Sequence, residues 1–142
     1  MEKSETIFAD SNYFIALFYP KDAQHEKARK IARALDAGEC PLVISSFVFL
    51  EAVTVASQRG GKEVGILVGE SLMNNPKVRI IHVDLVLQEK SWRVFQEIKQ
   101  KDVSFVDASI IAVMKDEGIR KLLTFDTKHF APLAKRYRLS LL

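Results

Sequence analysis

An α/β domain with a mostly parallel sheet covered on both faces is the fold class this sequence predicts. Three observations predict it. Short apolar runs of strand length alternate with segments of helical period from one end of the chain to the other. Helix-start and helix-stop residues separate them. No repeat, low-complexity tract or linker divides the chain. A length of 142 residues fits one domain, residues 1–142.

Glu5–Ala9 reads as a first strand, centred on Ile7 and Phe8. Asp10-Ser11-Asn12 then offers helix-start chemistry, and Tyr13–Phe18 continues as an apolar helical turn that Pro20 stops. From Gln24 to Ala37, the residues Ala28, Ile31, Ala32 and Leu35 recur at helical spacing, with Gly38 as the stop. Pro41–Ile44 is a second strand, and Ser45-Ser46 can cap the next helix. That helix carries Phe47, Leu50, Val53 and Thr54 on one face until Arg59-Gly60-Gly61 ends it. Lys62 to about Met73 forms another helix, closed by Asn74-Asn75-Pro76. Val78–Val83 is a third strand. Asp84 opens a long helix with Val86, Trp92, Phe95 and Ile98 as inward anchors. The helix from about Ser104 to Glu117 is apolar almost all round and should be buried; Gly118 ends it. Lys121–Phe125 is a fourth strand, Asp126 opens a short helix to about Lys135, and Leu139–Leu142 can add an edge strand.

An apolar fraction of 48% supports a folded core and argues against disorder. Cys40 stands alone, which excludes a disulfide framework and a cysteine-based zinc site and points to a reducing compartment. The apolar stretch Ile7–Tyr19 is too short and too interrupted for a membrane span, and its flanks do not suit a signal peptide. The expectation is a cytoplasmic protein. A net charge of +3 is too small to announce a polyanionic partner, although bases cluster at Lys27, Arg29, Lys30 and Arg33, and at Lys128, Lys135, Arg136 and Arg138.

Against that basic balance, four carboxylates sit at the ends of apolar runs or early in apolar helices: Asp10, Glu51, Asp107 and Asp126. Each has an ordinary alternative. Asp10 and Asp126 can be helix caps, Glu51 can face solvent, and Asp107 can meet the helix dipole. Together they suggest one acidic crevice outside the carboxyl ends of the strands, where α/β folds collect ligands. An acidic crevice in a basic chain suits a hard divalent cation and metal-assisted cleavage of a phosphodiester. Thr124 falls on the same side of the chain as Asp126 and can bond a carboxylate or a water. His25, His82 and His129 do not group as ligands and read as structural or exposed. Arg59-Gly60-Gly61-Lys62 lacks the spacing and the preceding strand of a phosphate loop, and no Gly-x-Ser-x-Gly, Cys-x-x-Cys or His-Glu-x-x-His pattern occurs.

Phe8-Ala9-Asp10-Ser11-Asn12, the helical Glu51, Asp107-Ala108-Ser109-Ile110-Ile111-Ala112 and Leu123-Thr124-Phe125-Asp126-Thr127-Lys128-His129-Phe130 resemble, in order, the four motifs of the PIN domain. The likeness is strongest to stand-alone members of the VapC type, the ribonuclease toxins of toxin–antitoxin pairs. It implies a three-layer α/β/α sandwich on about five strands. It also implies Mg²⁺ or Mn²⁺ held by Asp10, Glu51, Asp107 and Asp126, with Ser11, Asn12 and Thr124 as accessory residues. The implied activity is RNA cleavage leaving a 5′-phosphate; the implied partners are a second copy of the chain and an antitoxin. Rim bases, among them Arg59, Lys128 and Arg136, would offset repulsion of RNA. Phe14, Phe18 and Tyr19 could form an apolar partner face.

Three other readings fit the residues less closely. One keeps the fold but assigns RNA processing or DNA cleavage with no antitoxin. A receiver-type signalling domain wants an acidic pair after the first strand and a late lysine, where this chain has Asp10-Ser11-Asn12 and no such lysine. A binding module with a vestigial pocket predicts no cleavage with any metal.

Overall fold

The computed structural model describes residues 5–142. Five strands, β1 (Ile7–Ala9), β2 (Leu42–Ser45), β3 (Val78–Ile81), β4 (Lys121–Leu123) and β5 (Ser140–Leu141), form one sheet in the order β3-β2-β1-β4-β5. Every pairing is parallel, so the sheet is wholly rather than mostly parallel. Strands buried on both faces read as continuous apolar runs, and β1 and β2 are buried at every residue.

Seven helices make the crossovers: α1 (Ser11–Phe18), α2 (His25–Ala37), α3 (Ser46–Gly60), α4 (Lys62–Asn74), α5 (Leu85–Glu97), α6 (Phe105–Glu117) and α7 (Thr127–Tyr137). Their starts follow the capping chemistry of the sequence. Ser45 accepts from the Val48 amide, Asp84 from Leu87 and Ser104 from Asp107, each cap satisfying an otherwise orphaned donor. Gly118 ends α6 in the left-handed conformation that favours glycine.

β1 lies at the centre of the sheet and sets the position of the strand-end acids. The chain builds outward from it through β2 to β3, then returns to lay β4 on its other side and β5 beyond. The strand order therefore reverses between β1 and β4, leaving a crevice at their carboxyl ends. In register, Ala9 pairs with Leu123, and the Asp10 amide donates to the Leu123 carbonyl at 2.9 Å. Asp10 and Thr124 are thus brought side by side by the sheet itself. Phe8, Ile44, Leu122 and Leu123 meet Ile110, Ile111, Met114, Phe130 and Leu133 in the core.

Several sequence expectations are corrected. The strands are shorter than their apolar runs: β1 begins at Ile7, β3 ends at Ile81 and β4 ends at Leu123. On α3 the buried stripe is Val48, Ala52 and Ala56, while Leu50 is 65% exposed and Thr54 faces solvent. On α5 it is Leu87, Ser91 and Val94, with Ile98 just beyond; Val86 and Trp92 point outward. Phe14 is buried, while Phe18 and Tyr19 are half-buried. No helix among the described residues is long and apolar enough to cross a membrane.

Candidate active site

Asp10 is the first residue after β1, and its side chain caps α1 by accepting from the Ser11 amide at 2.7 Å. Capping does not exhaust it. Its second oxygen accepts the Thr124 hydroxyl at 2.9 Å and the Asn12 amide at 3.4 Å. The residue is only 3% exposed. Burial pushes its carboxyl up to about pH 7 despite the Thr124 and Ser11 hydrogen bonds, and the negative charges of Asp107 and Glu51 push the same way.

Thr124 is the joint of the site. Its hydroxyl donates to Asp10 and accepts from the Asn12 side-chain amide at 3.2 Å and the Asp126 backbone amide at 3.0 Å. That uses the full capacity of one hydroxyl. Asn12 closes the bracket, its carbonyl oxygen accepting from the Phe125 amide at 3.1 Å. The segment after β4 is thereby fixed to the start of α1.

Glu51 reaches the same crevice from the second turn of α3, where the Ser11 hydroxyl donates to it at 2.5 Å. Burial raises its carboxyl above the ordinary range, Asp107 adds to the rise, and Ser11 opposes it. Asp107 stands in the first turn of α6 and shares a reciprocal capping box with Ser104, each side chain accepting from the other's backbone amide at 3.1 Å. It is half-buried rather than deep in the core, and its dipole-facing cap role is real. Burial raises its carboxyl too, and Asp126 adds to this; the Ser104 hydrogen bonds and His129 work against it.

Asp126 caps α7 through the His129 amide at 3.3 Å and meets the His129 ring at 2.6 Å. A carboxylate only accepts, so Nδ1 of that ring carries the proton. The hydrogen bond to Asp126 is the main cause of the raised pKa of His129, and Asp102 lies 3.8 Å from its other nitrogen. The sequence reading missed this histidine. The available signal was the Asp126-x-x-His129 spacing, which puts both side chains on one face of a first helical turn.

Asp10, Glu51 and Asp107 therefore repel one another directly, and Asp126 joins through Asp107. Among the described residues no three acidic, histidine or cysteine groups close on a common point, so holding an ion would require these side chains to move. Glu51 Oε2 and Asp107 Oδ1 have no hydrogen-bond donor among the described residues. An all-oxygen set of mutually repelling carboxylates fits a hard divalent cation, which would lower the charge that burial penalises. The rim differs from expectation. Lys128 is exposed beside Asp126, whereas Arg59 is held by Asp22 at 2.8 Å over the Tyr19 ring. Arg136 lies ten residues along α7 from Asp126, about 15 Å at the helical rise, and pairs with Glu97.

Known proteins share the sequence pattern and the fold of this chain. Residues 7–136 match the model of the PIN domain. The chain is 31% identical over 121 residues to the 23S rRNA-specific endonuclease VapC20 of Mycobacterium tuberculosis, covering 84% of this chain and 88% of that protein. The crystal structure of VapC20, a Sarcin-Ricin loop cleaving toxin, superposes with a TM-score of 0.77 at 29% identity, covering 89% of this chain and 94% of that one. Two further structures share the fold: FitAcB from Neisseria gonorrhoeae and a toxin-antitoxin complex from Klebsiella pneumoniae. FitAcB gives a TM-score of 0.65 at 16% identity, covering 96% of each chain. The Klebsiella complex gives 0.60 at 24%, covering 88% of this chain and 90% of that one. With the motif order, the sheet topology and the family match in agreement, the chain belongs to the PIN domain family and is similar within it to the VapC-type members.

Proposed function

We propose that this chain is a Mg²⁺- or Mn²⁺-dependent endoribonuclease of the VapC toxin type, acting in the cytoplasm and silenced by an antitoxin. Asp10, Glu51, Asp107 and Asp126 would hold the cation. The observation that carries this reading is Asp10, a buried carboxylate kept among other acids at a pKa near 7. Such an arrangement opposes stability, and perturbed carboxylates in a crevice are characteristic of functional sites. The likeness to VapC20 supports ribosomal RNA as the first substrate to try.

When bound, a hard divalent cation supplies charge neutralisation at the phosphate and acidifies water that attacks it. The chain's own residues do the rest. Thr124, Asn12 and the Ser11 amide fix the plane of Asp10, and the Ser11 hydroxyl fixes Glu51. The Ser104 capping box holds Asp107 while leaving one of its oxygens for the crevice. His129 orients Asp126 and offsets part of the negative charge near Asp107. Lys128, exposed beside the crevice, is placed to meet a phosphate. A homodimer and an antitoxin laid across the site complete the proposal; the antitoxin is supported by the shared fold with a toxin-antitoxin complex.

The test is cleavage of labelled RNAs, including a sarcin–ricin stem–loop, by antitoxin-free protein in Mg²⁺, Mn²⁺ or EDTA. Cutting with either cation, none in EDTA, and a loss of about 100-fold or more in Asp107→Asn is the expected result. Cutting that survives EDTA or the substitution would overturn it. So would failure of folded, cation-loaded protein to cut any RNA in the set.

A further inference from the structure

Trp92 is the only tryptophan of the chain, and it is 53% exposed on α5 although apolar periodicity places it inward. It is not loose. Its ring lies 5.8 Å from Phe95 and 6.1 Å, edge to face, from Phe105. Phe105 also meets Phe95 at 5.7 Å and Phe47 at 6.1 Å. Four rings from α3, α5 and α6 thus form one contiguous cluster in which the indole is the exposed member. The cluster approaches the acidic crevice through Phe47, which lies one turn before Glu51 on the same face of α3. On α5 and in the segment that follows it, Arg93, Lys99 and Lys101 are exposed and without an ion pair among the described residues; Glu89, one turn before Trp92, is the one acid of α5 in the same state.

We propose that Trp92 is a stacking platform for an unpaired base of the RNA substrate, with Arg93, Lys99 and Lys101 holding the phosphates around it. This rests on the ribonuclease reading and adds to it a specificity subsite. An exposed indole on an element that also carries unpaired cations is the chemistry that grips single-stranded RNA, because every base has a stackable face and every nucleotide a phosphate. Continuity with the crevice would place the scissile phosphate within a few nucleotides of the stacked base. A second copy of the chain is the less suitable occupant. A two-fold contact brings the same patch together, so the unpaired cations of both copies would face each other.

With one tryptophan, emission reports on Trp92 alone. The probe is a short stem–loop RNA with unpaired adenines, added in EDTA to prevent cutting, beside a fully paired duplex of equal length. The stem–loop should quench Trp92 saturably and the duplex should not. Trp92→Ala should weaken stem–loop binding by about 10–100-fold, while Trp92→Phe stays within a few-fold of wild type and both variants keep the wild-type Tm. Unchanged emission at RNA concentrations that saturate anisotropy would overturn the proposal. So would emission that shifts with protein concentration alone as sedimentation reports a dimer, since the ring would then be covered by a second copy. Wild-type cleavage by Trp92→Ala would remove this subsite and leave the ribonuclease reading standing. RNA neither bound nor cut would remove both.

Discussion

Asp10 shows at the level of one residue how function opposes stability here. Its carboxyl has an ordinary value of 3.8 and is raised to about 7 in the folded chain. Between those values the folded state holds a proton that the unfolded state has lost, so stability must fall as pH rises from about 4 to 7. Asp10→Asn removes that penalty and forfeits the Thr124 hydrogen bond. In cation-free protein at pH 8 it should raise unfolding free energy by about 1–3 kcal/mol, with the gain vanishing near pH 4. Denaturant midpoints at the two pH values check this; a variant destabilised at both would contradict it. Thr124→Val strips the joint hydroxyl and leaves two donors unpaired, so it should cost about 1–3 kcal/mol and weaken cation affinity about 10–100-fold. The acids themselves were legible in the sequence because strand ends and apolar helices expose them. Their bonding partners were not, since Ser11 reaches Glu51 across 40 residues and Thr124 reaches Asp10 across 114. Such pairings exist only once strand register is set.

Among the elements, capping chemistry was readable and helix phase was not. Asp84, Ser45 and Ser104 start their helices where residue type says they should. On α5 the consecutive Leu85, Val86 and Leu87 give no unique phase, and the buried stripe contains Ser91, whose hydroxyl bonds back to the Leu87 carbonyl at 2.7 Å. A purely apolar reading therefore chose Trp92 instead. On α3 the inward residues include the small Ala52 and Ala56, which suit close packing with neighbouring elements. Gly65 of α4 permits one such approach: an added Cβ would collide with Ser57 Oγ and lie 3.2 Å from the Val53 carbonyl. The serine can rotate, but that carbonyl cannot. Gly65→Val should therefore cost about 1–3 kcal/mol, seen as a lower Cm at unchanged m. An unaltered midpoint would show that the helices part without strain.

Across the whole molecule, the return of the chain from β3 to β4 sets Thr124 beside Asp10, helices deliver Glu51 and Asp107, and Asp126 meets Asp107 from the turn after β4. The alternation of strands and helices made the fold class legible, and the motif order made the family legible. Strand order was not written in any local segment, because it depends on which crossover packs where. Charge acts at this scale as well, since an acidic crevice repels RNA and the surrounding basic side chains and a bound cation each offset that repulsion. Lys99→Glu combined with Lys101→Glu should weaken RNA binding and flatten its dependence on salt by about one unit of log–log slope per cation removed. An unchanged slope would place the RNA elsewhere on the surface.

Calorimetric titration of Mn²⁺ into cation-free protein at pH 7, in two buffers of different ionisation heat, tests the carboxylate site most directly. Wild type should bind with release of part of a proton from Asp10, so the observed heat should change with buffer. Asp10→Asn should bind at least about ten-fold more weakly and show no buffer dependence from that group. Equal affinity and equal proton release in the two proteins would contradict the account, because the buried carboxylate would then play no part in holding the ion.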